Sequence, residues 1–183
     1  KSRNTSHQDT IRKISKSCYS EAELNQVKNI VGGEVVKEKD TDAKLVVALL
    51  ADAKLCTATA IAKNVILTAA HCLTGATDEI LVAFYTTLSC ESGYSKNFHT
   101  IEADRVIIHE DYDPKLRPEI TPADIALVFL KSNIPEGYKI HSIADPNSVN
   151  TETELLIYGY GRTDYNRGEN GTLRKTSIVP NNF

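Results

Sequence analysis

From residue 45 to residue 158 the chain is a series of short runs rich in Val, Ile, Leu and Thr: Leu45–Ala51, Cys56–Ile61, Val65–Thr68, Ile80–Tyr85, Ile101–His109, Ile125–Leu130 and Leu155–Tyr158. Turn-rich segments separate them, among them Lys37–Asp42, Thr74–Asp78, Glu91–Asn97 and Asp145–Asn150. No run carries a sustained helical period, and β-branched residues favour a pleated, half-buried surface. Many short strands with turns between them predict an all-β barrel or sandwich. Residues 1–29 differ in texture: Lys, Ser, Asn and Gln predominate, and they read as a flexible leader with a short helical turn near Ser20-Glu21-Ala22-Glu23-Leu24. The sequence has no internal repeat and no low-complexity tract.

Size and charge narrow the function. The 183 residues are 41% hydrophobic and 25% charged, which is enough apolar material for a core in one domain or a small two-part domain. A formal net charge of −3 with scattered basic residues gives no electrostatic footprint for nucleic acid. No apolar run approaches the ~20 residues that span a bilayer, so no membrane partner is expected. The start, Lys1-Ser2-Arg3-Asn4, lacks the apolar core of a signal peptide, which for a secreted chain implies that an export signal has been removed. The four cysteines, Cys18, Cys56, Cys72 and Cys90, are an even number with no Cys-x-x-Cys pair, so disulfides are expected and a zinc site is not.

One stretch concentrates chemistry. Leu67-Thr68-Ala69-Ala70-His71-Cys72 sets a histidine beside a cysteine at the end of an apolar run, and imidazole titrates near neutrality. With it, in order along the chain, stand Ile30-Val31-Gly32-Gly33, Asp124-Ile125-Ala126-Leu127 and Gly159-Tyr160-Gly161. Together these motifs resemble the chymotrypsin-like, trypsin-fold serine endopeptidases, from Ile30 to the end of the chain. Gly-Tyr-Gly stands where that family usually has Gly-Trp-Gly.

The resemblance implies a chymotrypsin-like double β-barrel, with the first barrel complete and the second only begun. Residues 1–29 become a pro-segment, 30–150 the first barrel, and 151–183 a linker and the first strands of the second. It implies that His71 is the general base and Asp124 the carboxylate that orients it. The nucleophilic serine should follow Asp124 in a Gly-Asp-Ser-Gly-Gly setting; Ser132, Ser142, Ser148 and Ser177 lack flanking glycines. That serine is expected in a C-terminal remainder of the same protease, held as a further segment or a separate chain. Cys56 and Cys72 match a disulfide that braces the family's histidine loop, which points to an oxidising, secreted setting. Cys18 and Cys90 either pair with each other, tethering the leader, or bond to a partner chain.

Activation in the family follows cleavage before Ile-Val-Gly-Gly, here between Asn29 and Ile30. The family usually has Arg or Lys at the position of Asn29, so the activating protease either prefers asparagine, or Asn29 blocks activation, or activation works differently. The reading is a secreted zymogen acting on polypeptide substrates without cofactor or metal; its alternative is a catalytically inactive homologue acting as a binding or regulatory module. The loop Glu110–Pro122 would edge the substrate cleft, with Tyr112 or Leu116 lining a subsite. Asn4-Thr5-Ser6 and Asn170-Gly171-Thr172 fit the N-glycosylation pattern and are read as unused. The stretch from Glu91 to Glu102 matches no calcium motif and is read as polar surface.

Overall fold

The computed structural model describes residues 33–52, 54–76, 79–88, 99–116, 122–161 and 171–179. Nine strands run in order: β1 Glu34–Val35, β2 Val47–Ala51, β3 Lys54–Ala62, β4 Val65–Thr68, β5 Ile80–Ala83, β6 Thr100–Ile108, β7 Ala126–Leu130, β8 Leu155–Gly159 and β9 Arg174–Ile178. Short 3₁₀ turns occupy Thr41–Lys44, Ala70–Cys72 and Pro146–Ser148. Six strands close into an antiparallel barrel in the order β2-β3-β4-β7-β6-β5, and β1-β9-β8 form a separate three-stranded sheet. The all-β, chymotrypsin-like architecture expected from the sequence is therefore present, with one closed barrel.

The strands follow the apolar runs closely, and the deviations have local causes. Val65–Thr68 is a strand over its full expected length, alternating half-buried and buried positions as one inward face requires. The run from Leu45 begins pairing only at Val47, because the 3₁₀ turn Thr41–Lys44 ends on Leu45. The strand from Ile80 ends at Ala83, with one further backbone bond from the Phe84 amide to the His99 carbonyl at 3.2 Å. β9 has no apolar pattern in sequence; its Arg174-Lys175-Thr176-Ser177-Ile178 is held as a strand by pairing β8 on one side and β1 on the other. Thus β1, which lies within the 30–150 segment, joins a sheet with strands of the 151–183 segment. The leader's expected helical turn lies outside the described residues.

Strand β2 explains how the two sheets meet. All five of its residues are buried, so both its faces are covered. Val47, Leu49 and Ala51 point into the barrel with Ile66, Val82 and Val128. Ala48 and Leu50 point the other way, beside Leu81 and Ala83 of the neighbouring β5, and are covered by Val36, Tyr160 and Leu173. An unbroken apolar run is what a strand between two cores needs. Tyr160 is fully buried; its backbone N–H donates to Thr57 Oγ1 at 3.0 Å and its hydroxyl donates to the Tyr85 carbonyl. The tyrosine in the Gly-Tyr-Gly motif thus seats the small sheet on the barrel.

Candidate active site

His71 stands at the barrel rim, immediately after β4. The chain leaves β4 through Ala69 in an extended conformation and turns through the 3₁₀ segment Ala70–Cys72. The turn buries Ala70 and Cys72 and leaves His71 outside, so a small residue at position 70 lets the turn sit on the barrel core. The Leu73 and Thr74 amides and the Thr74 hydroxyl all donate back to the Ala70 carbonyl. A disulfide joins Cys72 to Cys56 on β3, as the resemblance implied.

Asp124 lies 53 residues further along, yet strand register brings it to the same place. β4 and β7 are antiparallel neighbours with Thr68 opposite Ala126, so the segment after Thr68 and the segment before Ala126 share one end of the barrel. His71 Nδ1 and Asp124 Oδ2 are 2.7 Å apart, and the His71 backbone N–H donates to Asp124 Oδ1 at 2.8 Å. The carboxylate therefore holds both the ring and the main chain of one residue. A carboxylate only accepts, so this contact assigns the proton to Nδ1 and leaves Nε2 as the basic nitrogen. Nε2 lies 3.5 Å from the disulfide sulfur of Cys72.

Electrostatics favour an ionised Asp124. Its partial burial pushes the pKa up, but the hydrogen bond and charge of His71 and the backbone donors of His71 and Ala70 outweigh this, and the pKa falls below the usual carboxylate value. The carboxylate side chain is 22% exposed while the imidazole is 49% exposed, so Asp124 is sheltered and the His71 ring faces outward. Immediately before Asp124, Ala123 adopts a left-handed φ of 55°, and its carbonyl accepts from the Ile125 amide at 2.6 Å. A non-glycine residue there costs about 1 kcal/mol, so the turn that aims Asp124 is strained.

The sequence pattern does not single out two residues that grip this region. Lys54, at the start of β3, donates from Nζ to the carbonyls of His71 at 2.9 Å and Thr74 at 2.8 Å. Thr57 accepts from Tyr160 N, and its carbonyl accepts from Thr68 Oγ1 at 3.1 Å. Their only sequence signal is position: Lys54 stands two residues before Cys56, on the same strand face.

Other candidates fall as follows. Cys18, Cys90, Asn29, Ile30, Asn4 and Asn170 lie outside the described residues. The sulfurs of Cys56 and Cys72 cluster with the His71 ring within 4.8 Å, but both are committed to the disulfide and neither is a thiolate ligand. Glu102, at the end of the stretch considered for calcium, is paired with Lys131 Nζ at 2.7 Å. Tyr112 is partly buried and packs against the barrel core, whereas Leu116 is exposed. Of the serines after Asp124, Ser148 donates to the Asp145 carbonyl, and none of Ser132, Ser142, Ser148 and Ser177 is a hydrogen-bond partner of His71 among the described residues.

Comparison with known proteins agrees with the fold. The trypsin family model matches residues 30–182. Trypsin Blo t 3 of Blomia tropicalis is 35% identical over 126 residues, which cover 67% of this chain and 44% of that protein. The solved structure of neuropsin, a serine protease expressed in the limbic system of mouse brain, superposes with a TM-score of 0.63 at 22% identity, covering 81% of this chain and 63% of that one. The chain belongs to the trypsin family. It spans less than half the length of Blo t 3 and less than two thirds of the neuropsin chain.

Proposed function

We propose that this chain is the His- and Asp-bearing part of a secreted serine endopeptidase zymogen that hydrolyses peptide bonds in polypeptides. The observation that carries the reading is the 2.7 Å contact between His71 Nδ1 and Asp124 Oδ2, reinforced by the second carboxylate oxygen on the His71 amide. A serine hydroxyl is a weak nucleophile at neutral pH and needs a base within hydrogen-bond reach. His71 Nε2, left unprotonated by this tautomer, takes the hydroxyl proton as the oxygen attacks the substrate carbonyl and later delivers it to the leaving amine. Asp124 stays ionised, holds the ring and stabilises the imidazolium formed in between.

The serine, its oxyanion-hole amides and the specificity pocket belong to a remainder of the protease beyond this chain. Cleavage between Asn29 and Ile30 by an activating protease releases the Ile30 amine, and the disulfide supports an oxidising, extracytoplasmic location. On the segment leading to Asp124, exposed Leu116 or partly buried Tyr112 would edge the cleft.

The test is active-site labelling of the parent protein with a fluorophosphonate before and after cleavage at Asn29–Ile30. Labelling only after cleavage, abolished by His71→Ala, is the expected result. A cleaved parent that does not label would instead support an inactive, binding homologue and sink the enzyme reading.

A further inference from the structure

We propose that Lys54 is a positioning residue for His71, holding the histidine peptide from the side opposite Asp124. The inference rests on the reading of His71 as the base, and it names a residue outside the sequence motifs.

The carbonyls of the histidine turn divide between amide donors and one ammonium. In the turn after β4, the Ala70 carbonyl receives the Leu73 and Thr74 amides, and the Leu73 carbonyl receives the Ala76 amide. The carbonyls of His71 and Thr74 are instead met by one ammonium group, Lys54 Nζ, at 2.9 and 2.8 Å. Hydrogen bonds from a charged donor are about twice as strong as neutral ones, and a lysine at the carbonyl end of a turn complements its dipole. The His71 residue is therefore fixed at both ends of its backbone: its N–H by Asp124 Oδ1 and its C=O by Lys54 Nζ.

Strand geometry makes the grip rigid. Lys54 and Cys56 are two apart on β3 and so share a face, with Ala58 and Ala60 continuing that face into the barrel core. One strand face thus reaches the histidine turn twice, once by the ammonium at positions 71 and 74 and once by the disulfide at position 72. The disulfide and the buried Ala70 and Leu73 hold the turn on the barrel, but none of them bonds the His71 carbonyl. The ammonium, bonding carbonyls on either side of Cys72, opposes rotation of the His71 peptide, which would lengthen the 2.7 Å contact to Asp124.

The test uses the oxidised, ¹⁵N-labelled chain, reading amide hydrogen exchange and, in the cold, the low-field Nδ1–H signal of His71. In Lys54→Gln, exchange of the His71 amide should rise about tenfold, the factor for losing one charge-assisted bond from local opening. The Nδ1–H signal should shift and broaden, while barrel amides such as Leu49 and Val128 keep their protection. Lys54→Arg, which keeps a positive multi-donor group on the same strand face, should restore the ring signal. A folded Lys54→Gln chain with an unmoved ring signal and His71 exchange within about twofold of the parent overturns the proposal. So does a change confined to the Leu73 and Thr74 amides, which would make Lys54 only a cap. If Lys54→Gln does not fold, loss of the ring signal in folded Lys54→Arg overturns the proposal equally. A wild-type chain without any Nδ1–H signal removes the His71–Asp124 arrangement behind the enzyme reading, and the amide arm still reads the Lys54 grip separately.

Discussion

The barrel and the three-stranded sheet are made of similar strands and differ in what surrounds them. Every barrel strand is hydrogen-bonded on both sides, and inward residues such as Leu49, Ile66, Val82 and Val128 are fully buried. In the sheet, β1 and β8 are edges among the described residues, and Leu156, Ile157, Ile178 and Val35 are 62%, 40%, 44% and 38% exposed. Closure removes edges and gives each inward side chain partners on all sides. The sheet is attached instead through Tyr160 and Leu173 on the outer face of β2 and β5, the Thr57–Tyr160 hydrogen bond, Lys175 on Asp42 at 2.8 Å, and backbone bonds such as Leu173 N–H to the Thr86 carbonyl and Leu88 N–H to the Gly171 carbonyl. Both His71 and Asp124 leave from barrel strands, so the candidate site inherits the rigidity of the closed region.

That contrast is open to direct attack by truncation. Leu49→Ala should destabilise the chain by about 4 kcal/mol, because it removes a fully buried side chain from a core with little freedom to collapse. Leu156→Ala should cost less than about 0.5 kcal/mol, since the side chain is mostly in water. Denaturant midpoints at constant m-value measure both, and similar losses would show that the sheet carries as much of the stability as the barrel.

Next in size is the disulfide. Replacing Cys56 and Cys72 together by alanine should cost about 3 kcal/mol for a loop of sixteen residues. Leaving the midpoint unchanged would mean that the barrel closes this loop as tightly without the bond. Smaller again is Thr57→Val, which takes away the acceptor of the Tyr160 amide at about 1–2 kcal/mol. Its loss should be seen as faster hydrogen exchange in β8 and β9, with β4 and β7 unaffected; uniform acceleration would mean that barrel and sheet open as one unit. Ala123→Asn, which suits a left-handed backbone better, should raise stability by about 0.5–1 kcal/mol. A decrease there would mean that the turn before Asp124 is held by contacts the larger side chain disrupts.

The same division governs what the sequence reveals. In the barrel, β-branched runs and strands coincide within about two residues at most ends, because a closed core imposes its alternation on the chain. In the sheet, β8 is legible through Leu155-Leu156-Ile157, but β9 is not: it is polar, and its strand form comes from two neighbours rather than from a buried face. The site divides likewise. His71 and Asp124 stand out through short motifs, yet their contact follows from Thr68 lying opposite Ala126, a register no local pattern states. Lys54 is invisible in sequence because its role depends on two carbonyls 17 and 20 residues away. That the tyrosine of Gly-Tyr-Gly is a buried anchor becomes visible only when its hydroxyl is seen to reach the Tyr85 carbonyl.

The smallest expected effect separates the two regions by acid. Asp124 and Asp42 both have pKa values below the ordinary carboxylate value, for different reasons. Asp42 is lowered chiefly by the Lys175 ammonium against partial desolvation; for Asp124, burial acts upward and is overcome by the donors of His71 and Ala70. A carboxylate whose folded pKa lies below its unfolded value of 3.8 contributes stability above that pH and loses it as pH falls through the folded value. Acid titration of the wild-type chain should therefore steepen below about pH 4. Asp42→Asn should flatten the part of that slope read by amides of β9, which Lys175 ties to the barrel, and Asp124→Asn the part read by the His71 turn. If Asp42→Asn instead flattened the response of the His71 turn, protonation at the sheet would be felt at the rim. The independence of the closed region, on which the geometry of the His71–Asp124 pair depends, would then be lost.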